Sequence, residues 1–218
     1  MMNEAMKNII DGTRQAITAS VVLMFICGFL FPCALSGLGA VLFPSQSKGN
    51  IVTVNGQAVG TAFVGQEFTQ DYYLWSRPSA YHYNVYTEDG NGSQRYLDGT
   101  EFSGLSSGSN NYAPSNPALR DRVETDMQVF LARNPGVQAS DIPTDLLTAS
   151  GSGLDPHISP EAAEVQVPRI ANASGLSEET VREIIKANTE GKVLGVFGEP
   201  TVNVLMANIQ IGKAMGIL

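Results

Sequence analysis

The chain has 218 residues, a formal net charge of −8 at neutral pH and 43% hydrophobic residues. That length admits one domain, or an anchor followed by one domain. The acidic balance argues against nucleic acid as a partner, and the two cysteines, Cys27 and Cys33, leave everything after them to fold without a disulfide.

No charged residue occurs between Arg14 and Lys48, and Ala16 to Phe43 is almost wholly apolar or small. As a helix these 28 residues reach roughly 42 Å at ~1.5 Å per residue, enough to cross a hydrocarbon core of about 30 Å with some tilt. The sequence therefore predicts a cytoplasmic tail over 1–15 and one transmembrane helix over 16–43, kinked or ended by Pro32. The rival reading is a cleaved signal peptide with Lys7 and Arg14 as its basic region. The apolar run is longer than the ~7–15 residues usual there, which favours the anchor. Lys7 and Arg14 precede the run and only Lys48 follows closely, so the positive-inside rule puts the N-terminus in the cytoplasm and 44–218 outside. From Gly49 onward ten Lys/Arg meet nineteen Asp/Glu, a net of −9; solubility explains such a surface most simply.

Ile51 to Val54 and Val59 to Val64, around Asn55-Gly56, predict a β-hairpin. An aromatic stretch, Tyr72-Tyr73-Leu74-Trp75, then leads to Arg77-Pro78-Ser79; as core or as a partner patch it reads equally well. The segment 84–108 has loop composition without a period and predicts a surface insertion. Asn116-Pro117 opens a helix to Arg133 with Leu119, Val123, Met127, Phe130 and Leu131 on one face, stopped by Asn134-Pro135-Gly136. Ser159-Pro160 opens another, which Pro168 must kink or restart. Ser177 caps a third, with Glu178 and Glu179 in its first turn and Gly191 as its end. Lys192 to Phe197 predicts a short strand, and Val202 to Met215 a helix whose first half also suits a strand. The fold class is α+β: a single N-terminal transmembrane helix followed by one mixed α/β extracytoplasmic domain.

Chemistry-bearing residues gather in one stretch, Thr148 to Pro160, which holds Ser150-Gly151-Ser152-Gly153, Asp155 and His157. A serine nucleophile at Ser150 or Ser152 with His157 or His82 as base is one reading, although the spacing is not that of a Gly-x-Ser-x-Gly elbow. Asp155 and His157 would need distant acids to hold a metal, so a hydrogen-bonding His157 is favoured. No phosphate-binding glycine motif is present. Ser107-Gly108-Ser109-Asn110 has the composition of an anion-binding nest, and an ordinary turn explains it more simply.

Taken in order, Val64-Gly65-Gln66-x-Phe68, Arg77-Pro78-Ser79, Gly108-Ser109-Asn110, Asn116-Pro117-x-Leu119, the Thr148–Pro160 run, Gln166-Val167-Pro168-Arg169 and Gly198-Glu199-Pro200-x-Val202-Asn203-Val204-Leu205 closely resemble the KdpC family of potassium-transporting ATPase subunits over nearly the whole chain. Thr61 and Ser107 depart from the family pattern. The resemblance implies an accessory, non-catalytic subunit in the cell membrane. Its partners would be a channel-like potassium-translocating subunit, a P-type ATPase subunit, a small single-span subunit and membrane lipid. ATP and potassium would be handled by the complex, and no cofactor is expected on this chain. Family members are described as raising the pump's affinity for ATP; for an external domain that effect must be allosteric. Arg77, Pro78, Ser79, Ser109, Asn110, Asn116, Ser150, Gly151, Ser152, Gly153, Asp155, His157, Gln166, Arg169, Glu199 and Asn203 are thereby candidate structural or partner-contact residues. The readings from another class are an anchored serine hydrolase and an anchored solute-binding module.

Overall fold

A computed structural model describes residues 3–218, which divide at Asn50/Ile51 into two compact units. The first is one long helical run. Helix α1 (Glu4–Phe25) starts ahead of the predicted span because Glu4 to Arg14 contains no proline and the helix runs through its single glycine, Gly12. Pro32 neither ends nor sharply interrupts it. Lacking an N–H, Pro32 leaves a carbonyl one turn back without its usual partner. The helix answers by widening to a π-turn over Ile26–Leu30, where the Phe31 N–H reaches Ile26 O, and continues as α2 (Phe31–Leu42). Met6–Leu42 is long and apolar enough to cross a membrane.

The second unit begins with the expected hairpin, β1 (Ile51–Val54) and β2 (Gln57–Thr61), antiparallel with Val54 opposite Gln57. Asn55 and Gly56, at φ 51° and 81°, form its two-residue turn. That tight turn starts β2 two residues before the predicted Val59, and the chain leaves the ladder at Thr61 rather than Val64. The segment 84–108 is more than an irregular loop, since it carries a second hairpin, β3 (Tyr86–Glu88) with β4 (Gln94–Tyr96). Asp89 Oδ1 accepts from Asn91 N and Ser93 N to set its turn. Phe102 stacks on Tyr86 at 4.3 Å and meets Tyr96 edge-on at 5.2 Å.

Helix α3 (Pro117–Arg133) starts as read: Asn116 Oδ1 accepts from Ala118 N, and Met127, Phe130 and Leu131 face the core. Past β5 (His157–Ile158), Ser159 Oγ accepts from Ala162 N to cap α4 (Pro160–Glu164). Pro168 restarts the chain as α5 (Val167–Ser174), sitting in its first turn where no N–H is missed. Ser177 caps α6 (Glu178–Ala187), which ends before Gly191 because the Asn188 side chain bonds back to Ile184 O. Strands β6 (Thr189–Glu190) and β7 (Thr201–Asn203) precede α7 (Val204–Ala214).

Strands β5, β7 and β6 form one antiparallel sheet with β7 central, His157 opposite Asn203 and Thr189 opposite Val202. This corrects the strand predicted at Lys192–Phe197. Both edges of β7 are occupied by His157–Ile158 and Thr189–Glu190, so 193–197 has no ladder to join and closes a turn on itself. The core lies between this sheet and α3 to α7, with Leu74, Val167, Ile170, Val181, Val202 and Ile211 fully buried.

Candidate functional site

Thr148 to Pro160 has little apolar surface, so its order must come from hydrogen bonds, which Ser150 and Ser152 to Asp155 supply. Ser150 Oγ accepts from Gly153 N at 2.9 Å and Ser152 Oγ from Leu154 N at 3.1 Å, which curls the run upon itself. Asp155 Oδ1 accepts from His157 N at 3.0 Å. The carbonyls left over point outward and fasten the other motifs. Ser152 O accepts from Gly108 N at 2.7 Å and from Ser107 Oγ; Gly153 O accepts from Ser79 Oγ at 2.7 Å; Leu154 O accepts from Gly65 N at 2.9 Å. Ser79 Oγ accepts in turn from Tyr81 N and Tyr83 N. The nest reading of 107–110 thereby loses the Gly108 N–H, which is spent within the fold.

Arg77 reaches the same loop by charge, with Nη1 2.9 Å from Asp155 Oδ2 and Nε 3.4 Å from Thr148 O. Hydrogen bonding from the His157 side chain, joined by Arg77, holds the Asp155 carboxyl below the usual carboxylate range. Tyr83, buried beneath, donates to Arg77 O, and desolvation pushes its phenol well above the ordinary value. Pro78, Ser79, Ser109, Asn110, Thr148 and Arg122 then line a shallow cleft of about 190 Å³. The structure thus brings together three separate motifs around one loop, with Gly151 exposed on its surface.

The serine hydroxyls of this loop and the two histidines are engaged with different partners. The Ser150 and Ser152 hydroxyls lie 3.3 Å from each other and bond to loop amides. His82 instead faces Glu67 at 3.0 Å and Asp98 at 3.6 Å, and His157 faces Asp155 and Asn203. Among the described residues no bond joins either histidine to either serine.

The remaining motif residues lie elsewhere. Asn116 is the α3 cap. Glu199 is exposed and paired with Lys192 at 3.1 Å. Asn203 caps α7 through Met206 N and donates to Ala62 O at 2.8 Å, tying the hairpin's end to the sheet. Gln166 and Arg169 are buried. Gln166 Oε1 accepts from Trp75 N at 2.8 Å while its Nε2 donates to Trp75 O and Ala162 O. Arg169 donates to Asp71 O, Tyr73 O, Asn134 Oδ1 and Gln166 Oε1, and lies 4.5 Å over the Trp75 ring. Burial draws its guanidinium down to about 10, so it stays charged at neutral pH.

Sequence reasoning passed over Asn208, whose side chain accepts from Leu74 N at 2.8 Å and donates to Leu74 O at 2.9 Å. The available signal was an asparagine set between apolar residues in the middle of a helix, where it is disfavoured unless a buried partner claims it. Asn134 and Tyr83 were missed likewise.

With this geometry in place, comparison with known proteins is direct. The family model KdpC, described as K+-transporting ATPase, c chain, matches residues 13–213. A potassium-transporting ATPase KdpC subunit of Clostridium kluyveri is 47% identical over 212 residues, covering 97% of this chain and 98% of that one. The protein of the same name from Clostridioides difficile is 45% identical over 94% of this chain and 98% of its own length. That of Rhodopseudomonas palustris strain BisB5 is 44% identical over 91% and 94%. The motif resemblance and the matched span agree, and the chain belongs to the KdpC family of K+-transporting ATPases.

Proposed function

We propose that this chain is an accessory, non-catalytic subunit of an ATP-driven potassium uptake complex, held in the cell membrane by a span over 16–43 with 1–15 in the cytoplasm and 44–218 outside. The observation that carries this reading is the spending of its chemically capable residues on its own architecture. The serines, Asp155, Arg77 and Arg169 of the family motifs satisfy backbone groups and one another. That is the economy of a shaped body that other proteins use. Relatives at 40–47% identity carry the name potassium-transporting ATPase KdpC subunit, which supports the same assignment.

Assembly and stability of the pump are then its task. Channel-like and P-type ATPase subunits supply transport and hydrolysis. Any influence on ATP affinity travels through the span or the partner subunits as a coupling free energy. Deleting the chain should abolish potassium-stimulated ATPase activity of the purified complex, and normal activity without it would refute the proposal. Topology has a separate check. Protease added outside intact cells should cut within 84–108; protection there would reverse the orientation. Titration of the full chain in detergent with ATP should show no stoichiometric binding, and saturable binding would overturn the allosteric account.

A further inference from the structure

Four of the five most exposed large apolar side chains in the second unit sit on one short turn. Val193, Leu194, Val196 and Phe197 are 67%, 86%, 73% and 65% exposed. The turn is ordered by its backbone. Val193 and Phe197 exchange hydrogen bonds of 2.8 and 3.0 Å, and Val196 N donates to Val193 O at 3.2 Å. Leu194 and Gly195 both have positive φ, 54° and 74°. Two consecutive left-handed residues closed by that bond make a turn of the I′ kind, which favours Asn-Gly. Of the other turns of this kind, Asn55-Gly56 follows the rule, and His82-Tyr83 departs from it with side chains packed inside the unit, Tyr83 buried and His82 against Tyr96.

Leucine at the first position of this turn is therefore disfavoured twice. Its Cβ crowds the backbone in the left-handed region, and its side chain gains no packing in return. A residue that local preference and solvation both oppose calls for something outside the unit to bury it. The exposed Lys192–Glu199 ion pair lies at the base of the turn, and the backbone bonds between Val193 and Phe197 set the shape of the tip.

Resting on the subunit reading above, we infer that the 193–197 turn is a preformed knob that inserts into an apolar pocket on another protein of the complex. The surrounding charge selects protein over lipid. Surface-seeking segments set Lys and Arg beside their apolar face to meet anionic headgroups. Here Glu190 and Glu199 flank the tip, Lys192 is already paired, and the chain from Gly49 onward carries a net −9. The pocket that fits is apolar at its floor and cationic at its rim.

To test this, the full-length chain is co-expressed with the other transporter subunits and recovered through a tag on this chain. A photo-crosslinking amino acid at position 194 should form an adduct with another subunit. The pair Leu194→Asp and Phe197→Asp should lower recovery of partner subunits at least tenfold. Leu105→Asp, at an isolated position 83% exposed, should leave recovery unchanged. Leu194→Asn discriminates further: it suits the turn, so the unfolding midpoint should hold or rise while partner recovery falls. A crosslink to lipid alone, no crosslink, or undiminished recovery by the double variant overturns the inference while leaving the subunit reading in place. If the unaltered chain brings down no partner, the subunit reading falls and the inference with it.

Discussion

Gly153 shows how little freedom single positions have in the central loop. Its φ is 65°, and a Cβ there would stand 2.5 Å from Gly108 O. Gly153→Ala is expected to destabilise the chain by roughly 1–3 kcal/mol, through backbone strain and displacement of the 107–110 segment. Urea denaturation of the full chain in detergent measures this, and an unshifted midpoint would show that the loop is not so held. Asn208→Leu is a harsher change. It strands the N–H and C=O of Leu74, a residue with no solvent exposure, and two unmet buried groups correspond to roughly 2–5 kcal/mol. The same denaturation experiment reads it. At Asp155 the native carboxyl is held low. Its contribution is complete above the unfolded value near pH 4 and is lost as pH falls through the native one. Asp155→Asn should flatten the acid limb of the stability profile; an unchanged limb would remove Asp155 from it. The caps at Asn116, Ser159 and Ser177 were legible in sequence because each side chain bonds a backbone group two or three residues on. Asn208 and Leu74 lie 134 residues apart, and no local pattern connects them.

Among the elements, the β3–β4 arm is the one tied to the body by a titrating group. His82 stands between Glu67 on the body and Asp98 on the arm, and its ring stacks 4.9 Å from Tyr96 in β4. The hydrogen bond to Glu67 raises its pKa over the opposing effect of burial. A raised native pKa means that the stabilisation is full below about pH 6.5 and fades as pH rises through the native value. Amide exchange in Tyr86–Tyr96, corrected for intrinsic pH dependence, should therefore be faster at pH 8 than at pH 6. His82→Gln should erase that difference; its persistence would place the control elsewhere. This arm was invisible to periodicity because its strands are three residues long, and its aromatic contacts span a turn of polar residues. The helices α3 and α6, with clean caps and apolar stripes, were legible almost to their ends. The 192–197 segment had strand-like residues, but pairing is decided by which edges are free, and β7 had none.

The molecule as a whole places both cysteines in the helical run and none beyond it. Reductant should accordingly leave the unfolding midpoint of the second unit unchanged within error; a downward shift would point to cross-linking between chains. Alkaline carbonate washing should leave the protein in the membrane pellet with its N-terminal residues intact by mass, and release into the supernatant would favour a cleaved leader. The motif hub was legible only as a composition, a loop needing something to hold it. What holds it, carbonyls that accept from three other motifs, is a matter of folded geometry. The Asp71–Trp75 stretch carries a different consequence. Its carbonyls at Asp71, Tyr73, Leu74 and Trp75, and its N–H groups at Leu74 and Trp75, are all taken by the side chains of Arg169, Asn208 and Gln166. It is a turn running into irregular chain, held by single side chains in place of a sheet ladder. Leu74 and Trp75 thereby have both backbone groups occupied from within, so another chain finds no free ladder partner at those two residues.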